Sequence, residues 1–331
     1  MASAQVSAGA GSAVRPDPTT LIAFVVVVVT GGLNAIAARQ TLGELTPFWS
    51  AALRFMLAAL IMVSIVLVSG RGFPRGRALV GAAAYGAVGF AASYAFVYSG
   101  LVEAPASAGA VLLALTPLFT FGLAIIQGQE RYRLEGLVGA VVAMLGVAVI
   151  FADQLGADVP LASLVLIVLG VLCIAESGVI VKWIPRGDPF GTNAVAMTSG
   201  GLILLALTIV SGEPVALPSG PEAISALVYL VLLGTVVLFG AYVYALTRWT
   251  ASAVSYATLL MPLVAVPTAA ILTGEPITPL LLVGGAIILA GVYVGAFLRR
   301  PRRLSATSSP ECLPVDGCAE VEASSSPAAN R

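Results

Sequence analysis

Runs of apolar residues about as long as a bilayer-crossing helix recur along almost the whole chain, separated by short stretches that carry glycine, proline or charge. A spanning helix needs about 20 apolar residues to cross roughly 30 Å of hydrocarbon. By that measure ten spans are expected, over 20–38, 47–69, 78–100, 105–126, 134–152, 160–183, 189–211, 222–247, 251–273 and 278–298. The connections are short, as tight helical hairpins require. The pattern predicts an all-α integral membrane fold of ten transmembrane helices.

The same pattern repeats itself. Ser107, Ala108, Pro117, Leu118, Glu130, Gly139 and Gly146 have residues of the same type at Ser252, Ala253, Pro262, Leu263, Glu275, Gly284 and Gly291, every pair at one offset (262 − 117 = 145). Upstream, Thr46-Pro47-Phe48 matches Asp188-Pro189-Phe190 (189 − 47 = 142), and on that register Asn34 falls opposite Glu176. A fixed register over such a length marks a duplication. The expected organisation is a disordered leader over 1–19, a first five-helix repeat over 20–152, a second over 160–298 and a disordered tail over 299–331. Ala35-Ile36-Ala37 has the look of a signal-peptide cleavage site, but the segment has a partner in the second half, and a cleaved leader would not be duplicated.

Five is odd, so the second repeat must enter the membrane opposite to the first, giving two inverted five-helix repeats. Basic residues accumulate in cytoplasmic loops. With the N-terminus cytoplasmic, the inside segments hold Arg15, Arg71, Arg75, Arg77, Arg131, Arg133, Lys182, Arg186, Arg248 and the cluster Arg299 to Arg303, while the outside loops hold only Arg39. Both termini are therefore expected in the cytoplasm, with the protein in the cell (inner) membrane and the basic cluster anchoring the last helix at anionic headgroups.

Composition agrees: 59% hydrophobic and 10% charged residues with mean hydropathy +1.02, against about a quarter charged in soluble domains. A formal net charge of zero offers no argument for a nucleic-acid partner. The chain has no histidine, which removes His-based acid/base chemistry and metal ligation. Its three cysteines, Cys173, Cys312 and Cys318, show no zinc or disulfide spacing. No Gly-x-x-x-x-Gly-Lys-Ser/Thr phosphate loop is present. Metal and cofactor are accordingly not expected.

Polar groups inside spans carry the chemical information, since each costs energy unless it faces a cavity or a partner. Glu176 lies near the middle of the sixth span, where a carboxyl can take up a proton or exchange it for a cationic substrate; a neutral, hydrogen-bonded acid is the alternative. Asn34, its counterpart, can line the same cavity or bond between helices. Arg54 lies about two turns into the second span, where a salt bridge, a snorkel to the interface and a substrate contact are all open. Tyr94 and Tyr98 share one helix face and, with Tyr242 and Tyr244 in the other half, form two clusters suited either to an interfacial aromatic belt or to an amphipathic ligand. Pro117, Pro262 and Pro267 sit inside spans as kink or hinge positions. Glu130 and Glu275 are expected to cap helix ends or form surface ion pairs.

Two five-helix halves, the stretch Ala51 to Phe55 reading Ala-Ala-Leu-Arg-Phe, and the paired pattern of Ser-Ala, then Pro, then Gly-x-Glu or Gly-Glu resemble the EamA family of the drug/metabolite transporter superfamily over Thr20 to Leu298. The resemblance implies a secondary transporter that moves small metabolites, amino acids or drugs by alternating access, often outward. Related four-helix multidrug transporters use a glutamate in their first helix for both protons and cationic drugs; Glu176 stands in the first helix of the second half, while the first half departs from that pattern with Asn34. The expected partners are a small-molecule substrate, the lipid bilayer and protons, and no nucleic acid. Uptake by the same fold, or a receptor or assembly role without transport, are the alternatives. An intramembrane protease is set aside, since the spans offer neither a Ser/His pair nor paired aspartates.

Overall fold

The computed structural model describes residues 17–104, 109, 112–150, 152, 160–185, 188–273 and 279–297. Among the described residues the regular structure is helical, with no strand. In hydrocarbon a helix satisfies its own backbone, which an open sheet cannot do. The elements are α1 (Pro18–Leu42), α2 (Pro47–Val68), α3 (Arg77–Leu101), α4 (Thr116–Ile126), α5 (Leu134–Ile150), α6 (Leu161–Trp183), α7 (Pro189–Val210), α8 (Pro221–Arg248), α9 and α10. α9 runs in three pieces, Ala251–Ser255, Ala257–Leu260 and Pro262–Thr273. α10 is Pro279–Val292, continued by a π-helical turn over Tyr293–Phe297. Eight of these are long and apolar enough to cross a bilayer, and α4 and α5 are shorter, with 11 and 17 residues.

Local chemistry sets the ends. Asp17 and Asp188 cap α1 and α7 by accepting the N–H of Thr20 and Gly191, at 3.2 and 3.1 Å, and Pro18, Pro47 and Pro189 stand at first-turn positions where no backbone donor is lost. α2 and α7 both end at a serine followed by a glycine with positive φ, Gly70 (φ 64°) and Gly212 (φ 70°), which no residue with a Cβ adopts cheaply.

The main pairings join one half to the other: α2 with α7, α5 with α10, α3 with α6 and α1 with α8. They are antiparallel. Arg71, just past α2, reaches Asp188 at the start of α7 (2.6 Å), whereas Glu213, just past α7, accepts the N–H groups of Phe48 and Trp49 at the start of α2 (3.4 and 2.9 Å). In the second pair Gly139 lies against Gly291 and Gly146 against Gly284; a Cβ on Gly146 would stand 2.8 Å from the Gly284 carbonyl oxygen, so glycine alone permits this approach. Equivalent helices running in opposite directions are the two inverted repeats that five helices per half require. The outward faces stay apolar, as Ile22, Leu60, Val80, Ile203, Val228 and Leu289 are exposed, which suits lipid and not water.

The prolines take different places. Pro117 occupies the first turn of α4, after a turn at Ala114 and Leu115. Pro262 opens the last piece of α9 after Met261, and Pro267 lies inside that piece. The expected leader (except 17–19), tail and basic cluster Arg299 to Arg303, together with Ser107, Ala108 and Glu275, lie outside the described residues.

Candidate functional site

The second helix of the first half brings a cation into the middle of the bundle. Arg54 is only 2% exposed. Its Nε donates to the Thr235 hydroxyl at 2.5 Å and its Nη2 to the Gly234 carbonyl at 2.6 Å. Both acceptors are neutral, and both belong to a π-helical segment of α8, Leu232–Val237. The equivalent place in the first half, Ala87–Ala92 of α3, is π-helical too (232 − 87 = 145). Such wider turns recur at functional sites. Asn34 on α1 donates its Nδ2 to the same Gly234 carbonyl at 3.0 Å, and its Oδ1 is buried without a hydrogen-bond partner among the described residues.

Aromatic rings surround the guanidinium. Its carbon lies 5.4 Å from the Phe55 ring centre and 5.6 Å from that of Tyr94, within the range of cation–π attraction. The rings run on without a gap: Tyr98 to Tyr94 (5.4 Å), Tyr94 to Phe55 (5.0 Å), Phe55 to Phe90 (4.7 Å), Phe90 to Phe239 (4.6 Å) and Phe239 to Tyr242 (6.4 Å). Tyr94, Tyr98 and Tyr242 are half-buried. Among the described residues the hydroxyls of Tyr94, Tyr98 and Tyr242 make no hydrogen bond, although other tyrosines do: Tyr229 donates to Thr30 O and Tyr256 to Gly136 O. Tyr244 is placed elsewhere, stacked under Arg248 (4.6 Å) with its hydroxyl 3.1 Å from that of Thr19, at the end of α8.

Glu176 does not join this group. Both its oxygens accept from the Gln127 amide nitrogen, at 2.9 and 2.7 Å, and Gln127 in turn accepts from the Trp183 indole at 3.0 Å. Gln127 caps the end of α4, and Trp183 ends α6, so Glu176 belongs to the opposite end of the bundle from Asn34, as inverted repeats demand of equivalent positions. Three residues after Gln127, Glu130 accepts both the N–H (3.0 Å) and the hydroxyl (2.5 Å) of Ser252 in the first turn of α9, with Arg133 3.7 Å away.

A family model described as the EamA-like transporter family matches residues 18–152 and again 161–296. The chain belongs to the EamA-like transporter family. This transporter is 27% identical over 293 residues to a probable amino-acid metabolite efflux pump of Salmonella typhimurium, covering 85% of this chain and 96% of that one. It is 31% identical over 226 residues to a probable terminal-alkyne amino-acid exporter of Streptantibioticus cattleyicolor, covering 67% and 74%. A WAT1-related chloroplast protein of Arabidopsis thaliana is 27% identical over 277 residues, and there the chain spans 66% of the relative's length. A crystal structure at 20% identity superposes with a TM-score of 0.72, over 85% of this chain and 96% of that one, and so shares the fold. The family and the Salmonella and Streptantibioticus relatives are transporters and not enzymes, and the apolar helices make this chain a multi-pass membrane protein.

Several residues of the EamA-like site are not legible from pattern alone. Gln127 is a lone amide in a turn, and Thr235 a single hydroxyl in an apolar run; only packing shows that they hold Glu176 and Arg54.

Proposed function

We propose that this EamA-like transporter exports a small organic solute of the amino-acid metabolite kind by alternating access at the space between its halves, in exchange for a proton carried on Glu176. The observation that carries the reading is the run of half-buried tyrosines drawn from both halves, whose hydroxyls make no hydrogen bond among the described residues, beside the buried cation Arg54. The printed names of the Salmonella and Streptantibioticus relatives support outward movement of amino-acid-like solutes.

The distribution of Lys and Arg supports cytoplasmic termini in the inner membrane. On that orientation Glu176 and its Gln127 partner lie toward the cytoplasm, and Asn34 and Arg54 toward the outside. Ionised, Glu176 offers two acceptor oxygens to the Gln127 amide. Protonated, it turns one of them into a donor and loosens that tie between α4 and α6. Alternating access needs such a contact, strong in one state and weak in the other.

The test is flux in proteoliposomes under an imposed pH gradient, across a panel of amino acids and lipophilic cations, with Glu176→Gln as the control. Gradient-driven flux is expected in the wild type and lost in the variant, with folding retained. Gradient-driven flux that persists in Glu176→Gln makes Glu176 a structural acid; no flux across the panel rejects the transport assignment to this solute class.

A further inference from the structure

The least balanced group in the described interior is Arg54. A guanidinium cannot shed its charge in a protein, and a cation taken from water costs several kcal/mol unless an anion meets it. The described ion pairs are Arg71 with Asp188, Arg133 with Glu130 and Arg248 with Asp17, all at the ends of helices. Arg54 has none of them. Its two hydrogen bonds go to neutral oxygens, and among the described residues its Nη1 has no acceptor. Thr235 does not depend on the guanidinium, because its hydroxyl donates to Leu230 O at 2.7 Å, and the Gly234 carbonyl is bonded by Asn34 as well. The arginine is thus poorly explained as a prop for α8. A leucine or methionine would fill the same room without the charge.

The second half makes the same point by contrast. On the 142-residue register Arg54 falls opposite Ala196 of α7 (196 − 54 = 142), a buried alanine in an otherwise mirrored helix pair. The bundle's architecture therefore does not call for a cation at this place. What Arg54 has around it suits a ligand: the free Tyr94 and Tyr98 hydroxyls and the half-buried Tyr94 ring.

We infer that Arg54 is the anchor for a carboxylate of the transported solute, which makes the substrate class small carboxylates with an apolar or aromatic body. The free Nη1 edge of the guanidinium takes the carboxylate, a planar donor fork meeting a planar acceptor pair. The half-buried rings of Tyr94, Tyr98 and Phe239 receive its apolar part. Such anchoring presupposes the transport role proposed above, and it excludes solutes that carry a cation alone.

The test is counterflow into proteoliposomes with two matched solutes, radiolabelled L-phenylalanine and phenethylamine, which differ by the carboxylate. A lipophilic cation is run beside them. Wild-type protein is expected to move phenylalanine at least about tenfold faster than phenethylamine, since a site built to bond a group rejects the analogue that lacks it. Arg54→Gln is expected to abolish that preference. Arg54→Lys keeps the charge but not the fork, and should keep the preference with a KM raised about tenfold; it serves as the folded reference should the Gln variant not assemble. Equal flux of the two solutes in the wild type, a preference that survives in Arg54→Gln, or a lost preference in a folded Arg54→Lys overturns the anchor. Flux of the lipophilic cation alone overturns the anchor while leaving transport standing, and no flux above empty liposomes overturns both.

Discussion

Replacing Arg54 by methionine separates a charge kept for a ligand from one kept for the fold. The substitution removes two short hydrogen bonds from a charged donor, at 2.5 and 2.6 Å, each worth about 1.5–3 kcal/mol. It also removes cation–π contact with Phe55 and Tyr94, about 1–2 kcal/mol for a desolvated pair. Against this, the folded state no longer buries an unpaired cation, a relief of several kcal/mol, and the methionine sulfur regains about 1 kcal/mol against the same rings. Neither abandoned oxygen is orphaned: Gly234 O keeps the Asn34 amide, and the Thr235 hydroxyl keeps Leu230 O. The opposing sums nearly cancel, so Arg54→Met should unfold within about 2 kcal/mol of wild type while losing transport of carboxylate solutes. Reversible unfolding in mixed micelles of mild detergent and dodecyl sulfate gives the first quantity, and counterflow gives the second. A loss above about 4 kcal/mol, the cost of breaking a buried charged network, would show that the guanidinium holds α8 in place and refute the reasoning.

Two further outcomes follow from contacts between the halves. Glu44 accepts the N–H groups of Ser219 (2.7 Å) and Gly220 (3.1 Å), and the Ser219 bond above all, then that of Gly220, holds its carboxyl below the ordinary value of 4.5. A folded-state pKa that is depressed gives stability present above the unfolded pKa and lost as pH falls through the folded one. The thermal midpoint of wild type should therefore exceed that of Glu44→Gln near neutral pH, with the gap closing below about pH 4; a gap that widens on acidification contradicts the assignment. At the α5–α10 crossing, Gly146→Ala sets a methyl 2.8 Å from the Gly284 carbonyl oxygen and from the Ile288 N. The backbones must part, at about 1–3 kcal/mol, and a denaturation midpoint equal to wild type would mean that the helices do not meet as described.

Much of the fold is legible along the chain because lipid imposes few solutions. About 20 apolar residues can only become a helix in hydrocarbon, so the spans, their number and the duplication follow from hydropathy and register. Pro117 and Pro262 show the limit. Equal spacing revealed them as counterparts inside spans, but only the structure places each at the opening of a helical piece, where the missing N–H costs nothing.

The site divides the same way. Glu176, Asn34, Arg54, Tyr94, Tyr98, Tyr242 and Tyr244 could be singled out because polar groups in an apolar run must have a reason to be there. Which of them share a reason could not be read, since helices from both halves interleave and residues more than a hundred positions apart become neighbours. Tertiary structure set Arg54 and Asn34 on one carbonyl of α8, moved Glu176 to the other end with Gln127, and sent Tyr244 away from its fellow tyrosines. The sequence by itself determined a membrane protein of ten helices in two inverted halves, because hydrophobic length and periodic register are local properties. The neighbours of each polar side chain were decided by packing across the halves, because hydrogen bonds act over about 3 Å and no local pattern records which helices come that close.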